Sequence, residues 1–210
     1  MLPSYPVEKT TLELIIALQG LNSLKEFYLV GGTALALQLK HRHSLDIDLF
    51  CNFNFDSGTL QEQLKQEFDI QLFHQAENTI RGSINGINVD IMAHRYPYIF
   101  PHLRIDGIET CSIPDIIAMK LNAISASGQR IKDFADIYFL LSQYTIADML
   151  GFYRMKYQQK QINHVLKSLV YFKDVNESEW PLVMPGHSLR WQSVTKKLEK
   201  AVLEYLREEF

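Results

Sequence analysis

The sequence predicts an α+β fold, with a mixed strand-and-helix front over residues 1–111 and an all-helical back over 112–210. Three observations predict it. The run Leu45-Asp-Ile-Asp-Leu-Phe50 alternates apolar and acidic residues with the period of a two-faced strand. Gly31-Gly32 falls between the β-prone Phe27-Tyr-Leu-Val30 and the helix formers Thr33–Lys40, which reads as strand, glycine turn, helix. From Ser112 onward, helical spacing replaces alternation.

In chain order, residues 10–24 place apolar groups at helical spacing behind Thr10 and Thr11, either of which can cap. A strand at 27–30, a helix at 33–40 and a strand at 45–50 follow. In that strand Leu45, Ile47 and Leu49 turn into the core, while Asp46 and Asp48 share the opposite face. A helix at 59–68 precedes strands at 70–74 and 79–84, and Asn85-Gly86 marks a tight turn into a strand at 87–92. After a loop beyond Tyr96, residues 104–109 read as one more strand. Ser112-Ile-Pro-Asp115 opens the back with proline in the first helical turn. Helices are expected at 114–126, 132–144, 146–157, 160–172 and 190–208, the last set apart by the loop Pro181–Gly186.

Composition narrows the function classes. With 47% hydrophobic and 21% charged residues the chain is ordinary globular protein, which excludes disordered and collagen-like classes. A net charge of −3 excludes a protein that coats nucleic acid through bulk charge. The sum is uneven, since residues 1–150 hold 11 basic and 17 acidic side chains and residues 151–210 hold 10 and 7. Cys51 and Cys111 lack metal or redox spacing, which predicts a reducing cytoplasm. The start of the chain lacks the basic and apolar regions of a secretory leader, and no apolar run is long enough for a membrane span.

The chemistry is concentrated in acids. Asp46 and Asp48 repel on one strand face unless a cation neutralises them, and hard cations such as Mg²⁺ prefer oxygen ligands. Isolated, the pair would be a solvated strand edge. It stands, however, 14 residues beyond the glycine turn, counting Gly32 to Asp46, and such turns hold phosphates on backbone N–H groups. A third carboxylate, Asp90, sits in the alternating strand after the hairpin. Further on, Lys120 is centred on an apolar stripe of Ile116, Ile117, Ala123 and Ile124, where an unpaired ammonium is costly. Asp136 beside Phe139 and Leu140 needs a partner, for which Lys120 is the candidate. Asp133 reads as a helix-start partner.

Strand-turn-helix, a DxD strand and one more acidic strand resemble the DNA polymerase β-like nucleotidyltransferase superfamily. More narrowly, Gly31-Gly-Thr-Ala-Leu-Ala-Leu, His41-Arg-His-Ser-Leu-Asp-Ile-Asp-Leu-Phe50, Val89-Asp90, Lys120-Leu-Asn-Ala-Ile and Arg130-Ile-Lys-Asp-Phe-Ala-Asp136 resemble the AbiEii/AbiGii nucleotidyltransferase toxin family. Leu169-Val-Tyr-Phe-Lys-Asp-Val and Trp180-Pro181 resemble a C-terminal pattern of its short members. The resemblance implies a polymerase β-like core with a helical C-terminal lobe and an NTP substrate. It implies two Mg²⁺ ions on Asp46, Asp48 and Asp90, and a phosphate side made of Gly31, Gly32, Thr33, Arg42 and Ser44. Lys120 would join the three acids as a catalytic residue and Arg130 and Lys132 would contact nucleotide, with Asp133 and Asp136 as support. The motif is GGT where the superfamily usually has GS, so Thr33 would supply the hydroxyl. NMP would pass to an acceptor hydroxyl on a tRNA 3′ end or a protein, and a neighbouring gene would encode an antitoxin. The competing classes are a two-metal phosphotransferase or nuclease, and a nucleotide-sensing or antitoxin-binding module without turnover.

The remaining motifs read as background. His41 and His43 flank Arg42 in a basic or plain surface loop, and His94-Arg95 lies in a sheet-edge loop. Lys156, Lys160, Lys167, Lys196, Lys197 and Lys200 read as a solvated helical face, with an RNA-facing wall as the alternative.

Overall fold

In the computed structural model, which describes residues 5–209, helix α1 (Lys9–Gly20) precedes β1 (Tyr28–Leu29), α2 (Gly31–Leu39), β2 (Ile47–Cys51) and α3 (Ser57–Glu67). Then come β3 (Ile70–Ala76), β4 (Thr79–Ile84), β5 (Ile87–Ala93), β6 (Leu103–Ile105) and β7 (Ile108–Thr110). The back is α4 (Ile113–Ala126), α5 (Ile131–Leu140), α6 (Ile146–Tyr157), α7 (Asn163–Leu169) and α8 (Trp191–Glu209). Residues 1–4, on which part of the leader reading rests, lie outside the described residues. Among the described residues no helix is long and apolar enough to cross a membrane.

The strands form one mixed sheet in the order β3-β4-β5-β2-β1-β7-β6. β2 runs parallel to β5 and β1 parallel to β7, while the other neighbours are antiparallel. The central strands bury Leu29, Ile47, Leu49, Val89 and Ile91 completely or nearly so, as alternation requires. Leu45 does not belong to that set. It precedes β2 and is 59% exposed, because regular pairing begins at Ile47.

Turn chemistry sets the hairpins. Asn85 and Gly86 both have positive φ, 53° and 78°, the backbone of a two-residue turn whose twist matches the strands. Asp106 and Gly107 do the same, with φ of 51° and 87°. The single strand expected at 104–109 is therefore a hairpin of two, β6 and β7.

In the back, Ser112 Oγ accepts the Asp115 backbone N–H at 3.2 Å to open α4, with proline in the first turn. Thr145 and Asp148 form a reciprocal capping box on α6. The helices expected at 132–144 and 160–172 are shorter, stopping at Leu140 and spanning only Asn163–Leu169. The change from strands to helices falls between Thr110 and Ile113, yet one continuous apolar core crosses it, from Leu29 and Ile47 to Phe134 and Leu198.

Lys156 corrects the reading of a solvated basic face. It is 1% exposed, and its Nζ lies 2.8 Å from Asp115 Oδ1 and 3.1 Å from the Pro97 carbonyl. Asp115 also accepts from the backbone N–H groups of Ile99 and Phe100, so one ion pair clamps α6, the start of α4 and the 97–100 loop. Lys160, Lys167, Lys196 and Lys200 are exposed, as a solvated face requires. Removing one partner of a buried pair strands the other charge. Lys156→Ala is expected to cost about 3–5 kcal/mol in urea unfolding, against less than about 0.5 kcal/mol for Lys160→Ala or Lys167→Ala.

Candidate active site

The parallel register of β2 and β5 sets Asp48 directly opposite Asp90, so the two carboxylates leave the sheet side by side on one face. Asp46 lies just before β2, and its Oδ1 accepts from Asn88 Nδ2 at 3.1 Å. On the far side of β5, Arg81 is the register partner of Asp90, and its Nε lies 3.3 Å from Asp90 Oδ2. Burial pushes the Asp48 carboxyl up to about 6, and the neighbouring Asp90 charge adds to the rise against the pull of Lys120 and Arg130. Asp90 is also raised, by burial first, with Arg81 opposing. Burial, with the proximity of the acids adding to it, thus makes their charged forms costly, the condition a bound cation relieves.

The glycine pair has a packing reason. Gly31 has φ of 67°, and a Cβ there would overlap Asp48 Oδ2. A Cβ on Gly32 would overlap the Arg42 guanidinium. The turn therefore brings the start of α2 against the Asp48 carboxylate while Arg42 passes beneath it. Thr33 departs from its expected role. It is buried, with its Oγ1 hydrogen-bonded to the Asp46 carbonyl and 2.9 Å from Ser44 Oγ, so it fastens the entry of β2 to α2 from within.

Arg42 and Lys120 likewise point inward. Arg42 Nε and one terminal nitrogen lie 2.6 and 2.9 Å from the two oxygens of Asp136, and His41 Nε2 lies 2.8 Å from Oδ1. Lys120 Nζ is 2.5 Å from Asp133 Oδ1 and 2.7 Å from Asp136 Oδ2. All five residues are at most 5% exposed. Burial alone would raise the Asp136 carboxyl, but Arg42 and Lys120 hold it well below the usual range. Burial lowers His41 despite Asp136 and leaves it neutral. Two cations then balance two anions, which a buried cluster requires. The basic or surface loop read at 41–43 is therefore largely interior: His41 and Arg42 are buried and His43 is half-buried.

Three cavities meet at the acids: two larger open ones, and a small one of about 130 Å³, lined by Gly31, Asp48, Lys120, Arg130 and Asp133 among others. Of the larger two, the first, of about 390 Å³, is lined by Gly32, Ser44, Asp46, Asp48, Arg130, Lys132 and Trp180 among others. The second, of about 500 Å³, is lined by Asp46, Asp48, Asp90, Arg81, Asn88 and Arg130 among others. Arg130 is exposed and faces both of these, whereas Lys132 Nζ lies 3.7 Å from Glu179 Oε2. As the acids stand, no three His, Cys, Asp or Glu side chains among the described residues are gathered closely enough to hold an ion. Arg81 and Asn88 at this site are not expected from sequence, and Trp180 enters there only through the C-terminal pattern, with no site role. A two-residue turn at Asn85-Gly86 pairs 84 with 87 and hence 81 with 90, a count that could have found Arg81.

This sheet, with a glycine turn against a row of acids, is the fold of nucleotidyltransferases, and the protein is an enzyme of that class. It superposes with a TM-score of 0.61 on MenT4, a nucleotidyltransferase toxin of Mycobacterium tuberculosis, at 11% identity over 92% of this chain and 80% of that one. On JHP933 from Helicobacter pylori the TM-score is 0.54, at 17% identity over 97% and 96% of the two chains. The chain belongs to the family described as nucleotidyl transferase AbiEii toxin of type IV toxin–antitoxin systems, matched over residues 17–106 and 87–205. It is also 31% identical to the uncharacterized protein aq_aa25 of Aquifex aeolicus over 205 residues, 95% of this chain and 96% of the other.

The raised Asp48 carboxyl has a measurable sign. Because it sits above its unfolded value of 3.8, at about 6, its contribution to stability is full below about pH 4 and is lost as pH rises through 6. In chelator, Asp48→Asn is expected to be more stable than the natural chain at pH 8, by about 2–3 kcal/mol. The gap should shrink through pH 6 and vanish near pH 4; thermal melts across that range read it directly.

Proposed function

We propose that the enzyme transfers NMP from an NTP to an acceptor hydroxyl, with Asp46, Asp48 and Asp90 as the ligands of two Mg²⁺ ions. The single observation that carries this reading is the register of Asp48 opposite Asp90 with the Gly31 turn closed on the Asp48 carboxylate. The donor set suits a hard divalent cation in being oxygen only, with adjacent carboxylates raised by burial; binding would draw the acids together and displace Arg81 from Asp90. Bound there, the ions would lower the pKa of the acceptor hydroxyl and neutralise charge on the leaving pyrophosphate.

The chain's own groups divide between two substrates. The triphosphate belongs in the cavity of Gly32, Ser44, Arg130 and Lys132, against the first backbone N–H groups of α2. The acceptor belongs in the second cavity, because Asp90 faces only that one of the two. There the acceptor oxygen forms its bond to the α-phosphorus, the bond from that phosphorus to the bridging oxygen breaks, and pyrophosphate leaves. The hydroxyl proton departs on the Asp90 side. Arg42 acts through Asp136 and Gly32. Lys120 acts through its charge on Asp48 and through Asp133 and Asp136, so both are positioning residues. The acceptor hydroxyl is on RNA or protein, and the cognate antitoxin is the product of a neighbouring gene.

The test is incubation with Mg²⁺, α-labelled NTP and total cell RNA or extract. Label is expected on an acceptor with the natural chain and not with Asp46→Ala/Asp48→Ala. Label that persists in the double variant, or that follows γ-labelled NTP instead, sinks the assignment. Independently of turnover, Mg²⁺ should raise the melting temperature of the natural chain and leave that of the double variant unmoved.

A further inference from the structure

The segment between α7 and α8 returns across the mouth of the first cavity and is pinned at both ends. At one end the Asn176 backbone N–H donates to the Gln129 carbonyl at 2.9 Å, and Asn176 bridges Arg130. At the other, His43 N–H donates to the Leu182 carbonyl at 2.7 Å and Met184 N–H to the His41 carbonyl at 3.0 Å, with Val183 bridged to Arg42. Pro181 is buried, and Glu179 reaches Lys132. Between these anchors stands Trp180, 39% exposed and lining the cavity with Gly32, Ser44, Asp48, Arg130 and Lys132. The other tryptophan, Trp191, is packed edge-on against Phe134 and Phe172, whereas Trp180 has no aromatic partner among the described residues.

An indole held open on an anchored backbone, beside cations and backbone donors suited to phosphates, presents a flat apolar face at the wet end of a polar cleft. From this geometry we propose that Trp180 is the nucleobase platform of the site: the base of the NTP stacks on the indole while its phosphates run toward Gly32 and Asp48. This rests on the nucleotidyl-transfer reading and adds to it the group that holds the base. Stacking reads the π face and not the hydrogen-bonding edge, so the platform serves purines and pyrimidines alike, with the larger purines held more tightly. The three backbone hydrogen bonds fix the main chain that carries the indole, so that part of the ordering cost is met before the nucleotide arrives.

The presence of only two tryptophans makes the test direct. In a Trp191→Phe chain all indole emission comes from Trp180. Titration with ATP, GTP, CTP and UTP in Mg²⁺ is expected to quench it, and inorganic triphosphate, which lacks a base, is expected to leave it unchanged. Trp180→Leu should raise the KM for NTP roughly 10- to 100-fold with a smaller change in kcat, and Trp180→Phe should restore part of the loss. Matching circular dichroism and melting temperature would show that the variants fold. Normal nucleotide binding by calorimetry with no change in emission, or an unchanged KM in Trp180→Leu, overturns the platform and leaves the enzyme reading standing. No nucleotide binding by natural chain and variants alike removes both.

Discussion

Asp136 is the constraint on which the rest of the architecture depends. A carboxylate with no access to solvent is tolerable only when paired and hydrogen-bonded, and its partners come from different parts of the chain: His41 and Arg42 after α2, and Lys120 on α4. Asp133, on the same face of α5, takes the remaining share of Lys120. The front and the back of the chain are therefore joined by charge as well as by the continuous apolar core. From that joint the site is built outward. Arg42 can reach Asp136 because Gly32 leaves room for it, and Thr33 ties the backbone of Asp46 to the helix behind it. The placement of the acids is thus set from the interior side of the sheet.

Two kinds of charge coexist within this small region. The inner cluster is balanced, two cations against two anions with a neutral imidazole, and it contributes rigidity. The outer row is unbalanced, with Asp46, Asp48 and Asp90 answered locally by Arg81 and Arg130. Such an excess is tolerated at a working site because the stability given up there is regained elsewhere in the fold. The acidic balance of residues 1–150, set against the basic balance of residues 151–210, is therefore an average over two different environments.

How much of this could be read from sequence depended on how local its cause was. The DxD alternation, the Asn85-Gly86 turn and the Ser112-Ile-Pro-Asp115 start are written in adjacent residues, and they located β2, the β4–β5 hairpin and α4. Asp106-Gly107 carried the same turn chemistry as Asn85-Gly86, but the runs on either side of it were too short to show as two strands. The misread side chains all have distant partners. Arg42 looks like a phosphate ligand until Asp136 is found beside it, and Lys156 looks solvated until Asp115 is. Thr33 follows the same rule, since its hydroxyl is used by Asp46 thirteen residues on. Lys120 was the exception, because an ammonium centred on an apolar helical stripe announces a buried partner even before that partner is known.

The antiparallel bridge between Arg42 and Val183 has a consequence for how the molecule is made. Translation delivers the chain from its amino end, so the loop bearing His41, Arg42 and His43 emerges long before the segment that receives its backbone hydrogen bonds. Until Leu182, Val183 and Met184 have been synthesised, those groups have only water for partners. The wall of the first cavity is accordingly completed on the ribosome only well after the acids it faces have been made.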